Sequence, residues 1–341
     1  MNDFSVLTPE QQLAEFSATA AAALPHWGLQ GADLKLIKFR ENAVFEVQHD
    51  QQQYALRLHR IGYHSDAALQ SELEWMAALT AAGIETPKVI PTLTGAKVVR
   101  QPLEAYDTAI QVDLFEWIDG EQLGSVEEGL NDPASIAETY RIIGELAAEV
   151  HNQSSGWDLP AGFTRHAWDE HGLAGDNPFW NRFWEIEAAS DEQRILLQTG
   201  KKKIFADLSA LSKASDHYSM IHADLVVENI IVTAAAVKII DFDDAGFGWH
   251  LFELATVLYF LLDEPWYPQA YDALVAGYRS KRDLSDEQLA LLPLFLSARG
   301  FTYLGWVHTR PETETAQELT PMLLDLACRT ASDYMLSLIH I

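Results

Sequence analysis

Ile221-His-Ala-Asp-Leu-Val-Val-Glu-Asn-Ile-Ile-Val-Thr-Ala-Ala-Ala-Val-Lys-Ile-Ile-Asp-Phe-Asp243 is the stretch that decides the fold. Asp224 precedes Asn229 by five positions, and Asp241 follows twelve later. Between Asn229 and Asp241 lie two apolar runs of β type, Ile230 to Val232 and Val237 to Ile240, joined by small residues. Closed as an antiparallel hairpin, these runs bring Asn229 near Asp241. One Asp can then take a hydroxyl proton, while an Asn and a second Asp supply hard oxygen atoms to Mg²⁺. Those are the parts of a phosphoryl-transfer site.

On the N-terminal side of this stretch the pattern is strand-rich. Thr8-Pro9 followed by Gln11 predicts a helix start with a capping pair, running to about Ala23 and stopping before Pro25. Leu34 to Phe39, Ala43 to Gln48 and Tyr54 to His59 are short apolar or alternating runs separated by polar turns, which predicts three strands. Ser65 is placed to cap a helix whose Leu69, Leu73, Met76 and Leu79 share one face. Val89 to Val99 and Ala109 to Trp117 read as two more strands, with Thr92 to Gly95 as their turn. After Asp119-Gly120 the spacing becomes helical, as in Ile136, Tyr140, Ile143, Ala147 and Val150, and the hairpin is the one interruption expected. The expectation is an α+β chain with a strand-rich domain over 1–116 and a mainly helical domain over 117–341.

Composition limits the partners. The chain has 341 residues and a formal net charge of −27. Such a surface repels nucleic-acid phosphates and anionic lipid, so neither is expected as a partner. Hydrophobic residues make up 48%, enough for a sizeable core. The single cysteine, Cys328, excludes an internal disulfide and suits a reducing compartment. The start of the chain has no basic region followed by an apolar core. The apolar run Leu254 to Leu262 is too short to span a bilayer. A cytoplasmic protein is expected, with its oligomeric state left open.

With these residues in view, the chain resembles the kinase-like superfamily of small-molecule phosphotransferases, which includes aminoglycoside phosphotransferases, choline kinases and type II homoserine kinases. The resemblance covers roughly Leu34 to Leu262 and is most specific over His222 to Asp243. It implies a bilobal protein-kinase-like fold, with a small antiparallel-sheet N-lobe and a larger, mainly helical C-lobe. It assigns the catalytic carboxylate to Asp224, with His222 bracing the loop. It assigns Mg²⁺ to Asn229 and Asp241, with Asp243, where protein kinases have Gly, either at the metal or in a solvated turn.

The same resemblance supplies a nucleotide site. Tyr54-Ala-Leu-Arg-Leu58 matches the third-strand pattern, with Ala55 over adenine and Arg57 as the phosphate cation where many kinases have Lys. Glu72 rather than Glu74 is its expected helix partner. Asn42 stands in a turn without glycine, where a phosphate-covering loop is expected. Backbone groups of Glu116 to Ile118 form the expected hinge against the adenine edge. Glu253 stands where the family has Asp, the residue that ties down the catalytic loop.

The cofactors implied are ATP and Mg²⁺. The acceptor implied is a hydroxyl of a small molecule, and the acidic charge and the aromatic segments Trp168 to Trp184 and Phe301 to Trp306 lean toward a cationic one. A Ser/Thr protein kinase of the same fold is the first alternative. The short path from Asp243 to the next helix argues against it. A silent nucleotide-binding regulator is the second, and it leaves Asp224 without a purpose.

Overall fold

The computed structural model describes residues 7–39, 42–103, 106, 108–125, 129–130, 133–233, 236–311 and 313–337. In chain order the elements are α1 (Pro9–Ala23), β1 (Asp33–Phe39), β2 (Ala43–His49), β3 (Gln52–Leu58), α2 (Asp66–Ala81), β4 (Val98–Leu103) and β5 (Thr108–Glu116). Three two-residue strands follow, β6 (Glu121–Gln122), β7 (Gly124–Ser125) and β8 (Gly129–Leu130), then α3 (Ile136–Ser155), β9 (Ala167–Trp168), α4 (Glu170–Ala174) and α5 (Asp191–Ser209). Next come β10 (Tyr218–Ile221), β11 (Ile230–Val232), β12 (Val237–Ile239), β13 (Gly246–Trp249) and α6 (His250–Tyr259). The chain closes with α7 (Tyr267–Lys281), α8 (Asp286–Leu289), α9 (Leu292–His308) and α10 (Glu314–Ser337). Two compact units result: 1–121 with 159–164 and 233–240, and 122–158 with 165–232 and 241–341.

The first unit is built on a five-stranded antiparallel sheet in the order β1-β2-β3-β5-β4. Alternation in β2 buries Ala43, Phe45 and Val47 on one face, where they meet Leu56, Leu58, Ile110, Val112 and Leu114. Phe16, Ala20 and Ala23 of α1 and Leu24 and Trp27 of the next turn join the same core. Each large side chain removed from water there is worth about 1.5–3 kcal/mol. Thr8 and Gln11 form the expected reciprocal cap on α1. Ser65 Oγ accepts the Ala68 N–H at the start of α2.

One strand differs from its sequence reading. Val89 to Val99 is not continuous, because Lys88 to Ile90 touch β5 only near its end. Glu116 N donates to Lys88 O, Ile90 N donates to Leu114 O, and Val89 makes an isolated bridge to Phe115. Pro91 then removes a donor and Gly95 turns at φ 89°, so the ladder resumes only at Val98. The Thr92–Gly95 turn is real, but it precedes β4 instead of joining it to β5.

The second unit is mainly helical, but it carries strands that periodicity missed. β10 pairs antiparallel with β13, from Tyr218↔Trp249 to Ile221↔Gly246, and β13 pairs in parallel with β9. Strands of two to four residues are too short to show a period. β13 also inserts between Asp243 and α6, where a near-direct entry into the helix is expected. This small sheet matters because β10 ends at Ile221 and delivers the chain into His222. Among the described residues one helical stretch, Asp286–His308, is long and apolar enough to cross a membrane, but 78% of its 18-residue apolar window is buried within the protein. Cys328 is buried, and burial pushes its thiol up to about 11. The apolar chain end, Met335 to Ile341, lies largely outside the described residues.

Helices α3 and α7 meet through glycines. A Cβ on Gly144 would stand 2.2 Å from Leu274 O, and one on Gly277 would stand 2.0 Å from Arg141 O. Both obstacles are backbone, so the helices must separate to admit a methyl group. Gly144→Ala and Gly277→Ala are each expected to destabilise the protein by about 1–3 kcal/mol. Denaturant unfolding checks this, and an unchanged midpoint would contradict the packing.

Candidate active site

The loop after β10 is held from two sides. Ala223 adopts φ 64°, a left-handed conformation uncommon for a residue with a Cβ. Glu253 Oε2, on the first turn of α6, accepts N–H groups from both His222 (2.6 Å) and Ala223 (3.2 Å). Glu253 therefore ties down the loop, as the expected Asp would, with one more methylene of reach. Burial pushes its carboxyl above the usual range, against the opposing pull of His222 and of the two amides. His222 is buried, accepts the Asp224 N–H at its Nδ1 (3.3 Å) and packs edge-on to Phe242. Its contacts are those of a brace.

Asp224 carries its carboxylate at the mouth of this loop, 24% exposed. Asn229 Nδ2 donates to Asp224 Oδ2 and to its backbone O, each at 2.8 Å. Arg299 Nη2, from α9, donates to Oδ1 at 3.1 Å. A mixed set of hard oxygen atoms suits Mg²⁺. Because Asn229 spends its nitrogen on Asp224, its Oδ1 is the end left for a cation. Asp241 is exposed and sits at φ 63°, left-handed like Ala223 and Asn181 in this unit. Strain of this kind gathers where surroundings fix an unusual geometry for function. Asp243 is buried. Among the described residues no three His, Cys, Asp or Glu close on a single point.

The backbone around Asp243 is clamped from β9 and the residues before it. Arg165 donates to Ala245 O (2.6 Å), Asp243 O (2.5 Å) and Phe242 O (3.3 Å). Asp244 O accepts from Trp168 Nε1 (2.8 Å) and His166 Nε2 (3.0 Å). These donors hold the segment that presents Asp241 and Asp243.

In the first unit Arg57 lies directly across from Asp113 in the β3–β5 pair. Its Nε and Nη2 reach the two Asp113 oxygens at 3.1 and 2.7 Å, and Nη2 also meets Glu72 Oε1 at 2.7 Å. His59 Nε2 adds a fourth contact, 3.1 Å from Asp113 Oδ2. Glu72, not Glu74, is thus the helix partner; Glu74 accepts instead from Gln70. Burial opposes ionisation of Asp113, but Arg57 and His59 outweigh it and hold the carboxyl at about 2. Ala55 is half-buried on β3. Asn42 is buried, and its Oδ1 accepts the Arg60 N–H (3.1 Å), which pins the turn before β2. Glu116 donates its N–H to Lys88, and Ile118 follows two residues on, half-buried.

Three residues escaped the sequence reading: Asp113, Arg165 and Arg299. Two of them carry a visible signal. Asp113 interrupts Ala109-Ile-Gln-Val-Asp-Leu-Phe115, and Arg299 interrupts Leu292-Pro-Leu-Phe-Leu-Ser-Ala-Arg-Gly-Phe301. A lone charge in an apolar run needs a buried partner. The aromatic segments are mainly core. Trp168, Phe183 and Phe301 are fully buried, and Trp180 nearly so.

The model of the phosphotransferase enzyme family matches residues 33–290. Amicoumacin kinase of Bacillus subtilis (strain 168) is 25% identical over 324 residues, spanning 91% of this chain and 88% of that protein. Among solved structures, a microcompartment-associated aminopropanol kinase superposes with a TM-score of 0.83 at 30% identity, covering 94% of this chain and 98% of the other. An amicoumacin kinase in complex with AMP-PNP, Ca²⁺ and Ami superposes at 0.77 with 21% identity, covering 96% of each.

The Arg57 cluster makes a prediction with a sign. Asp113 titrates lower in the folded chain than the ordinary value near 3.9, so its ionised form stabilises the fold above about pH 4. That contribution is lost as pH falls through about 2. Asp113→Asn should lower stability at pH 7 and flatten the acid limb of stability against pH. Arg57→Met leaves two buried carboxylates without their cation and should cost about 3–5 kcal/mol. Urea unfolding at several pH values measures both, and parallel wild-type and Asp113→Asn curves would contradict the assignment.

Proposed function

The chain belongs to the phosphotransferase enzyme family, and from that premise we propose that it transfers the γ-phosphoryl group of ATP, with Mg²⁺, to the hydroxyl of a small amino alcohol or a similar cationic compound. The observation that carries the reading is the Asp224 carboxylate, presented on a strained loop and gripped at both oxygens by Asn229 and Arg299. A binding module has no need to hold a carboxylate in this way.

In the proposed reaction the acceptor oxygen attacks the γ-phosphorus as the bond to the β-phosphate oxygen breaks. ADP leaves, and the hydroxyl proton passes to Asp224. The transition state of such transfers is loose, so positioning and charge neutralisation do most of the catalysis. Asp224 orients the hydroxyl and receives its proton. Asn229 and Asp241, with Asp243 beside them, would hold Mg²⁺, which offsets charge on the phosphates when bound. Arg57, fixed by Glu72 and Asp113, would supply the cation for the phosphates. Ala55 and the Glu116–Ile118 backbone would receive the adenine. Working on ATP, the enzyme would act in the cytoplasm.

Two observations favour a small, cationic acceptor. The chain passes from Asp243 through only a four-residue strand into α6. That leaves no long segment of the kind that seats a protein substrate. Asp244 acts electrostatically on Arg299 and Glu228 on Tyr303, so the surroundings of the pair beside Asp224 are acidic. One relative is an aminopropanol kinase, and another binds AMP-PNP with a divalent ion.

ADP release in the presence of Mg-ATP should rise with aminopropanol above the rate with water alone. Choline, homoserine, amicoumacin and an aminoglycoside complete the panel. Asp224→Asn should lower turnover by about 10²–10⁴-fold, with nucleotide affinity nearly unchanged. Unchanged turnover would remove Asp224 from the mechanism. Phosphate appearing on proteins but on no compound of the panel would overturn the small-molecule reading.

A further inference from the structure

We propose that Arg299 is a positioning residue of the transfer reaction, its guanidinium fork fixing the Ala223–Asp224 backbone and the Asp224 carboxylate together. The inference rests on the assignment of Asp224 above. Arg299 Nη1 donates to Ala223 O (3.1 Å), and Nη2 donates to Asp224 Oδ1 (3.1 Å) and to Tyr303 Oη (2.8 Å). The two arms of one planar group thus join a main-chain oxygen to the side chain of the next residue.

The environment shows what the arrangement is for. Arg299 is wholly buried, on an α9 whose other inward residues are mostly apolar. Burying a guanidinium costs several kcal/mol of lost hydration. If α9 needed only to pack, a leucine here would be better. Part of the cost is returned by rings: the guanidinium lies 4.1 Å from the Tyr303 ring centroid, 5.2 Å from Trp180 and 5.5 Å from Phe252. Those rings also limit how far the cation can move. Asp224 itself stays partly exposed, at 24%.

Glu253 completes the hold. Ala223 is left-handed, and each end of the residue is fixed by a buried charged side chain: its N–H by Glu253 and its C=O by Arg299. Neither clamp alone sets the direction of the following residue. With both in place Asp224 leaves the loop at one angle, and its oxygens are taken by Arg299 and Asn229. A lysine offers a point charge and cannot bond Ala223 O and Asp224 Oδ1 with that fork.

The test is a double-mutant cycle with Mg-ATP and whichever compound of the panel turns over fastest. Arg299→Met keeps the volume and removes the fork. It should lower kcat by about a hundredfold, the scale of a small misplacement of a reacting group, while KM for ATP stays within about threefold. Added to Asp224→Asn it should bring no further loss, because a residue acting through Asp224 has nothing left to position. Arg299→Lys should recover only a small part of kcat. Should Arg299→Met fail to fold, Arg299→Lys serves alone, with a kcat loss of about tenfold or more expected for a fork-dependent role. Three outcomes overturn the proposal: kcat near wild type in a folded variant, losses that add to those of Asp224→Asn, or ATP affinity falling in step with kcat. A normal kcat in Asp224→Asn itself defeats the assignment of Asp224 instead, so the two failures are distinct.

Discussion

The peptide unit at Ala223 is the constraint on which the rest of the candidate site depends. A left-handed residue with a Cβ is costly and persists only where its surroundings over-determine it. Here the surroundings are Glu253 on α6 and Arg299 on α9, with His222 bracing the amide of Asp224. The direction of the Asp224 side chain follows from that grip. So does the position of Asn229, whose amide is bonded to Asp224 twice.

Both units solve the same electrostatic problem. Each must keep a charge in a fixed place within a poorly polarisable interior. In the first, Arg57 is locked between Asp113 and Glu72, so a long flexible side chain is reduced to one conformation. In the second, Arg299 is locked by rings, the Ala223 carbonyl and the Asp224 carboxylate. Neither arrangement is an economical way to stabilise a fold, since apolar side chains of equal volume do that better. Under the proposed reaction their value would lie in preorganisation: polar groups already aimed do not have to reorganise when charge moves.

How much of this was legible differs from residue to residue. Strands β1 to β3 and β5, helices α1 to α3, and the Thr8 and Ser65 caps follow local rules and stand within a few residues of their predicted places. Glu72 was separable from Glu74 because two residues along a helix turn to different faces. The Val89–Val99 strand failed because β-type residues on both sides of Pro91 read as one run. The small β9–β10–β13 sheet was invisible, being shorter than any period. Arg165 sits in a polar loop and gives no sign in sequence of the three carbonyls it holds.

By itself the sequence pointed to phosphoryl transfer, because Asp224, Asn229 and Asp241 are spaced by a short loop and hairpin, and local spacing survives folding. The Arg57–Glu72 pair was implied by the resemblance over β3 and α2, and the two side chains meet in the structure. Only the tertiary structure decided what holds Asp224. Arg299 lies 75 residues further along the chain, and Asp113 lies 56 beyond Arg57. Over such separations the sequence shows that a charge is out of place in an apolar run, but its partner depends on which helices and strands are packed side by side.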